Sequence, residues 1–161
     1  MLIPERLMAS LKASNVQFEV IRHLEAFTAP ELAELEHVKG RLHAKVVLVH
    51  CKDRHRMLVL PTDHRVDMEK LEAMFHEPAV IDSESELQSL FPDCALGKMP
   101  PFGKLYGLPT LIDQSLTEEE TIVFEAGTHT DAIKMKMADY LRLAEGQKGD
   151  FSLKFYPMKA A

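Results

Sequence analysis

The chain has 161 residues, 46% hydrophobic and 27% charged, with a net charge of −6. That size and make-up suit one globular domain able to bury about two-thirds of its unfolded surface, and they exclude a disordered or fibrous protein. The acidic balance excludes a grip on DNA or any phosphate backbone through bulk charge. The longest apolar runs, Val46 to Val49 and Met57 to Leu60, are far below the roughly 20 residues of a membrane-spanning helix.

Glu5 to Ala13 carries Leu7, Met8 and Leu11 at the spacing of one helical face and predicts a first helix. QFEVIRH, residues 17–23, alternates at Phe18 and Val20 and breaks at Ile21, which predicts a strand with one better buried face. Thr28, followed by Pro30 and Glu31, predicts the capped start of a helix from Ala29 to Glu36 that stops before Gly40. HAKVVLVHC, residues 43–51, is nearly continuously apolar and rich in β-branched side chains, as a central strand should be. HRMLVLP, residues 55–61, is its expected partner across the polar KDR turn. Asp67 is placed to cap a helix reaching about Phe75, with Met68, Leu71 and Met74 on one face, and Ser83 with Glu86 forms a capping box for a short helix before Pro92. Beyond residue 103, KLYGLP (104–109), TLIDQSL (110–116) and TIVFEAG (121–127) are expected as strands, and IKMKMADYLRL (133–143) as a helix. The tail either adds a strand or frays, so residues 146–161 read as a C-terminal extension of a single domain spanning 1–161. This order predicts an α+β fold: a mixed, largely antiparallel sheet of six or more strands with surrounding helices. A doubly wound parallel sheet is disfavoured because neither glycine-rich phosphate motif occurs.

Most familiar chemistries find no footing. Eight histidines invite a metal, with His50 and His55 or His64 and His76 as conceivable pairs, but H-E-x-x-H and C-x-x-C are missing and no metal is expected. G-x-S-x-G is absent. Cys51 closes the most apolar strand and reads as core filling; Cys94, after Pro92-Asp93, is a poor nucleophile candidate. Without metal spacing or an export signal in MLIPERLMAS, the two thiols are expected to be reduced, in a cytoplasm. Lys45, at the mouth of a buried strand, either snorkels to water or aims its ammonium at an anion. KGRLHAK, with Lys39, Arg41, His43 and Lys45 and no acid among them, is either a solvated turn or a local nucleic-acid contact. GKMPPFG, residues 97–103, packs two glycines and two prolines into a stiff loop.

Three of these features occur in one order: Lys45 in AKVVLV; the G-x-x-x-P loop Gly97-Lys98-Met99-Pro100-Pro101, extended by Phe102-Gly103; and Gly127-Thr128-His129, followed by an expected helix ending MADYLRL. In this the chain resembles, from residue 1 to about 145, the YbaK and prolyl-tRNA synthetase-associated editing family. The resemblance implies a YbaK-like fold and a trans-acting or appended hydrolase. Its substrate would be the ester of a mischarged tRNA, most often tRNA for proline, and it would use no cofactor. It further implies tRNA, met at its acceptor 3′ end, as partner, with prolyl-tRNA synthetase as a second candidate. Lys45, Gly97, Lys98, Met99, Pro100, Pro101 and His129 are then the catalytic candidates; Arg41, His43, Phe102, Gly103, Gly127 and Thr128 are the substrate-binding ones. The loop would present backbone N–H groups to the ester carbonyl, Lys45 would steady the terminal adenosine, and water would attack with help from a substrate hydroxyl. His129 is either a pocket wall or water-orienting group, or a turn residue starting the final helix. Asp113 is either an acid that similar sequences often show after a strand or a turn residue. Val46 follows the lysine where the alanyl-specific branch shows asparagine, which argues against alanine and leaves cysteine, serine, threonine or another small residue. The alternative is a module of the same fold that binds a nucleotide, a tRNA end or a synthetase without hydrolysis.

Overall fold

The computed structural model describes residues 2–23 and 43–154. The helix expected over residues 29–36, together with Lys39 and Arg41, lies outside them.

Helix α1 (Glu5–Ala13) follows Pro4 and buries Leu7 and Leu11. Strand β1 (Phe18–Arg22) comes next. β2 (His43–Cys51) and β3 (Arg54–Pro61) form a hairpin in register from Ala44↔Pro61 to Cys51↔Arg54. After β4 (His64–Val66), Asp67 accepts from the Glu69 and Lys70 amides and starts α2 (Met68–Phe75). The short β5 (Val80–Ile81) leads to Ser83, whose capping box with Glu86 opens α3 (Glu84–Leu90). Then come a 3₁₀ turn (Gly103–Tyr106), β6 (Thr110–Asp113), α4 (Gln114–Thr117), β7 (Thr121–Glu125), β8 (Asp131–Lys136), α5 (Met137–Ala144), β9 (Gln147–Gly149) and β10 (Ser152–Lys154).

Among the described residues, eight strands make one mixed sheet in the order β1-β8-β7-β2-β3-β6-β9, with β5 on the far end of β2; β10 pairs β4 separately. β2–β7, β3–β6 and β6–β9 are parallel, and the remaining pairs are antiparallel. As its apolar run required, β2 is interior, flanked by β3 and β7. No helix among the described residues is long and apolar enough to cross a membrane.

Three expectations are corrected. KLYGLP is not a strand: its first residues close the 3₁₀ turn, and pairing begins only at Thr110. Residues 114–117 of TLIDQSL turn into α4 because Asp113 caps it. The helix expected from Ile133 is a strand as far as Lys136, with Ile133 and Met135 buried between β1 and β7, and turns helical only at Met137. The uncertain tail does add a strand, since β9 pairs with β6. Val20, expected on the better buried face, is 42% exposed because β1 is the sheet's edge.

The strand alternation divides the buried residues. On one face Ala44, Leu48, Met57, Val59 and Phe124 pack with Leu7 and Leu11 of α1 and Tyr140 of α5. On the other, Val49, Leu58 and Leu60 meet Leu71 of α2 and Phe151, while Val123 and Ala132 form a separate small cluster with Ile21. His43, Lys45 and Glu125 share that second face by alternation, so polar groups occupy the gap between its two apolar clusters.

Tyr140 ties this core to the stiff loop. It is fully buried, stacked edge-on at 5.1 Å from the Phe102 ring, and its hydroxyl donates to the Pro101 carbonyl at 2.8 Å. Tyr140→Phe leaves that carbonyl unpaired and is expected to cost about 1–2 kcal/mol, read as a lower urea midpoint with an unchanged m-value.

Candidate active site

The loop from Gly97 to Gly103 is not a flap. Gly97 is exposed and Lys98 partly so, but Met99, Pro100, Pro101, Phe102 and Gly103 are buried. Gly97 turns the chain at φ +79°, a conformation that suits glycine. Three of the loop's amides are already used: Lys98 donates to the Ala95 carbonyl, Phe102 to the Pro100 carbonyl and Gly103 to the Thr110 hydroxyl. Prolines have none, which leaves the Gly97 and Met99 amides without a partner among the described residues. Of the few amide donors expected there, the loop therefore has two free, at Gly97 and Met99.

The loop is fixed to the end of β7. Gly127 donates to the Lys98 carbonyl at 2.7 Å, and Ala95 donates to the Gly127 carbonyl at 2.7 Å. The β2–β7 pairing puts His43 opposite Val123 and Ala44 opposite Phe124. The pairing ends there, with Lys45 and Glu125 the next residues along the two strands and on the same face by alternation. Glu125 in turn approaches Lys98, with Oε1 3.7 Å from its Nζ. The fold thus ties Lys98 to Gly127 and Glu125, and sets β2 beside the strand that carries Glu125, although β2 and the loop are separated by some fifty residues of sequence.

Lys45 is half-buried, and burial lowers its pKa, partly offset by the nearby Asp63 carboxylate. No carboxylate pairs with it within 4.0 Å among the described residues. A partly desolvated ammonium without a close counter-ion is prepared to receive an anion from outside. His43 is buried beside it on the same face.

Glu125 was not singled out by the sequence, where it is one polar residue ending an apolar strand. Its Oε2 lies 3.5 Å from Nε2 of the buried His23. Burial raises its pKa above the ordinary carboxyl value; Lys98 and His23 pull it back, but contacts at these separations are too long to win. A carboxyl with a raised folded-state pKa adds stability that is complete below the unfolded value and is lost as pH rises through the folded one. Glu125→Gln is therefore expected to flatten the fall in unfolding free energy as pH rises above the ordinary carboxyl value, as measured by urea titration at each pH.

Several sequence candidates prove to be supports. Phe102, expected at the substrate, is 2% exposed and wedged edge-on against Phe124 and Tyr140. Gly103 is packed so closely that a Cβ there would lie 2.3 Å from the Thr110 hydroxyl. Thr128 is buried with its hydroxyl donating to Asp131 at 2.6 Å and accepting the Thr130 and Asp131 amides, a knot that shapes the turn after Gly127. His129 is exposed on that turn, and a strand, not the final helix, follows it. Asp113 is a buried brace accepting the Ser115 hydroxyl and amide and the Phe151 amide. Cys94 contacts the Tyr106 hydroxyl at 3.3 Å, and burial pushes its thiol up to about 11, the opposite of a nucleophile's tuning. Both cysteines are free thiols.

The family model for the aminoacyl-tRNA editing domain matches residues 23–143. Among curated proteins, the multifunctional Ser/Thr-tRNA deacylase ProXp-y of Escherichia coli K12 is 27% identical over 153 residues, covering 91% of each chain. A solved structure assigned provisionally as a trans-editing enzyme for prolyl tRNA synthetase superposes with a TM-score of 0.82 at 19% identity, over 95% of this chain and 99% of its own. Another, described only as a hypothetical protein, gives 0.83 at 16% identity, over 92% and 100%; at such identities the likeness speaks for the fold. With the family match spanning the strand lysine, the proline-glycine loop and the glycine turn, the chain belongs to the aminoacyl-tRNA editing domain family.

Proposed function

We propose that this aminoacyl-tRNA deacylase acts in trans on tRNA carrying serine or threonine, holding the acceptor 3′ end at the corner formed by Lys45, Gly97–Met99 and Gly127. One observation supports this above the others: a half-buried ammonium without a close carboxylate sits on β2, next to the strand whose end, at Gly127, is hydrogen-bonded to the loop that carries the two free amides. The Lys45 ammonium meets the phosphate or sugar of the terminal adenosine. The Gly97 and Met99 amides donate to the ester carbonyl oxygen as it gains charge, and a single fixed donor of this kind contributes on the order of 3 kcal/mol. Water attacks the carbonyl carbon, passing a proton to the neighbouring ribose hydroxyl, which gives its own proton to the departing ester oxygen. The acyl C–O bond breaks, leaving free amino acid and a restored tRNA hydroxyl. An activated ester needs no covalent nucleophile, which agrees with a Cys94 thiol held protonated.

Lys98 and Glu125 are positioning groups, fixing the loop through the Lys98 carbonyl bond to Gly127. His129 stands at the rim. The preference for serine or threonine rests on the relative at 27% identity and on Val46 following the lysine. tRNA for proline and contact with its synthetase are the first combinations to examine, and the free thiols suit a reducing cytoplasm.

The experiment is steady-state deacylation of seryl-, threonyl-, cysteinyl- and alanyl-tRNA, on tRNA for proline and on the cognate tRNAs. Faster release of serine or threonine than of alanine is expected. Uniform absence of turnover, with tRNA binding retained, would establish the non-catalytic module instead.

A further inference from the structure

The far end of the β2–β3 hairpin carries a second cluster of polar groups that the editing reaction does not use. His50 and His55 face each other across the ladder, their ring centroids 5.2 Å apart. Asp82, with its side chain fully buried, sits between them: Oδ1 is 2.7 Å from Nδ1 of His50 and Oδ2 is 2.7 Å from Nδ1 of His55. Glu86, on the first turn of α3, brings Oε2 to 3.5 Å from Nδ1 of His50 and 3.9 Å from Nε2 of His55. One donor atom from each of the four lies within 4.8 Å of the other three. No sequence motif announces this group, because two ligands are opposed on a hairpin and two come from the β5–α3 corner some thirty residues later.

We propose that His50, His55, Asp82 and Glu86 bind one divalent transition-metal ion of the zinc class. Two imidazoles and two carboxylates are a donor set that zinc accepts, and four protein ligands from pre-placed elements are the mark of a structural site. Ligand bonds of about 2.0–2.2 Å set tetrahedral neighbours roughly 3.4 Å apart. The Asp82–imidazole pairs need only open slightly as the ion takes the place of their shared protons, while Glu86 closes in. Charge favours the same outcome: the two carboxylates have no lysine or arginine within 4.0 Å among the described residues, and a dication would balance both. The rings are held by a buried carboxylate, so little ordering is left to be done on binding. Five strand residues separate His50 from Lys45, about 16 Å, so the ion would take no part in ester hydrolysis. It would pin the β2–β3 hairpin to the helix that leads, through Phe91 and Pro92, to the proline-glycine loop.

The test uses untagged protein freed of metal by chelation, titrated with zinc by calorimetry and with cobalt(II) by visible absorption. One equivalent is expected, with micromolar or tighter affinity, tetrahedral-type cobalt bands and an upward shift of the thermal midpoint. His55→Gln should abolish the cobalt bands. Glu86→Gln, whose amide oxygen can still accept the Ser83 amide of the capping box, should weaken zinc about 10-fold or more while leaving the metal-free midpoint unchanged. Absence of saturable binding by the wild type, or equal affinity in both variants, would overturn the proposal and leave Asp82 as a hydrogen-bonded clamp on two histidines.

Discussion

Replacement of Lys45 by methionine is expected to lower kcat/KM on seryl- or threonyl-tRNA by about 10–10²-fold, as loss of a charged contact of about 1.5–3 kcal/mol to the terminal adenosine would. The thermal midpoint should stay level or rise slightly, because burial already disfavours this ammonium and methionine keeps the aliphatic stem that packs beside His43. Arginine at the same position retains charge but presents a planar fork in place of a compact ammonium, so partial rescue at most is expected. Turnover by Lys45→Met within about threefold of wild type would remove the lysine from the reaction. The companion measurement is tRNA binding at two salt concentrations. If Lys45 meets a phosphate, the variant loses part of the salt dependence; if it meets only the sugar, the slope is unchanged.

The second large effect is expected at Gly127. This residue has φ +84°, and a Cβ would lie 2.5 Å from Cδ and 2.7 Å from Cγ of Pro4. A proline ring cannot swing aside as a lysine tip would, so Gly127→Ala must shift either the start of α1 or the turn itself. Moving the turn stretches both 2.7 Å hydrogen bonds that hold the loop. Left-handed strain of about 1–2 kcal/mol and overpacking of about 1–3 kcal/mol suggest a loss near 3–4 kcal/mol, or roughly 10 °C in Tm for a domain of this size. Gly97→Ala is the matched control: it has a similar φ of +79° but nothing within 4 Å of its Cβ, so it should show the strain alone. Equal destabilisation by the two substitutions would mean that Pro4 yields. A greater loss of activity than of stability in Gly127→Ala would show that the two anchoring bonds set the reacting geometry.

Local signals in the sequence carried a long way. The caps at Asp67 and Ser83, the amphipathic spacing of Leu7 and Leu11 and the apolar run of β2 each mark an element found within a residue or so of its expected bounds. The failure at Ile133 is instructive. Ile133, Met135 and Met137 alternate as strand residues do, but Tyr140 and Ala144 continue at helical spacing, and only pairing with β1 and β7 decides where one pattern hands over to the other. At the site, Lys45 and the loop could be named because their residue types are unusual for their positions. Glu125 could not, since its significance comes from burial near His23 and Lys98, neighbours brought by the fold. Phe102 was misplaced for the converse reason: an aromatic in a glycine-proline loop looks available until the core closes around it. His50 and His55 have no motif spacing because hairpin register, rather than a helix turn, brings them together.

Among the described residues, the edge strand β1 is held only by β8. Phe18 pairs with Met135 and Arg22 with Asp131, so a segment made early in synthesis waits for one made near the end before it can hydrogen-bond. Closing so long a loop delays the reward for ordering it, and sheets built from such distant pairs fold slowly. While the ribosome is still translating residues before β8, the β2–β3 hairpin can form but the β1 side of the sheet has no scaffold. The nascent chain would therefore carry Phe18 and Ile21 unprotected, which makes the interval before β8 emerges the stage at which this domain most needs a chaperone.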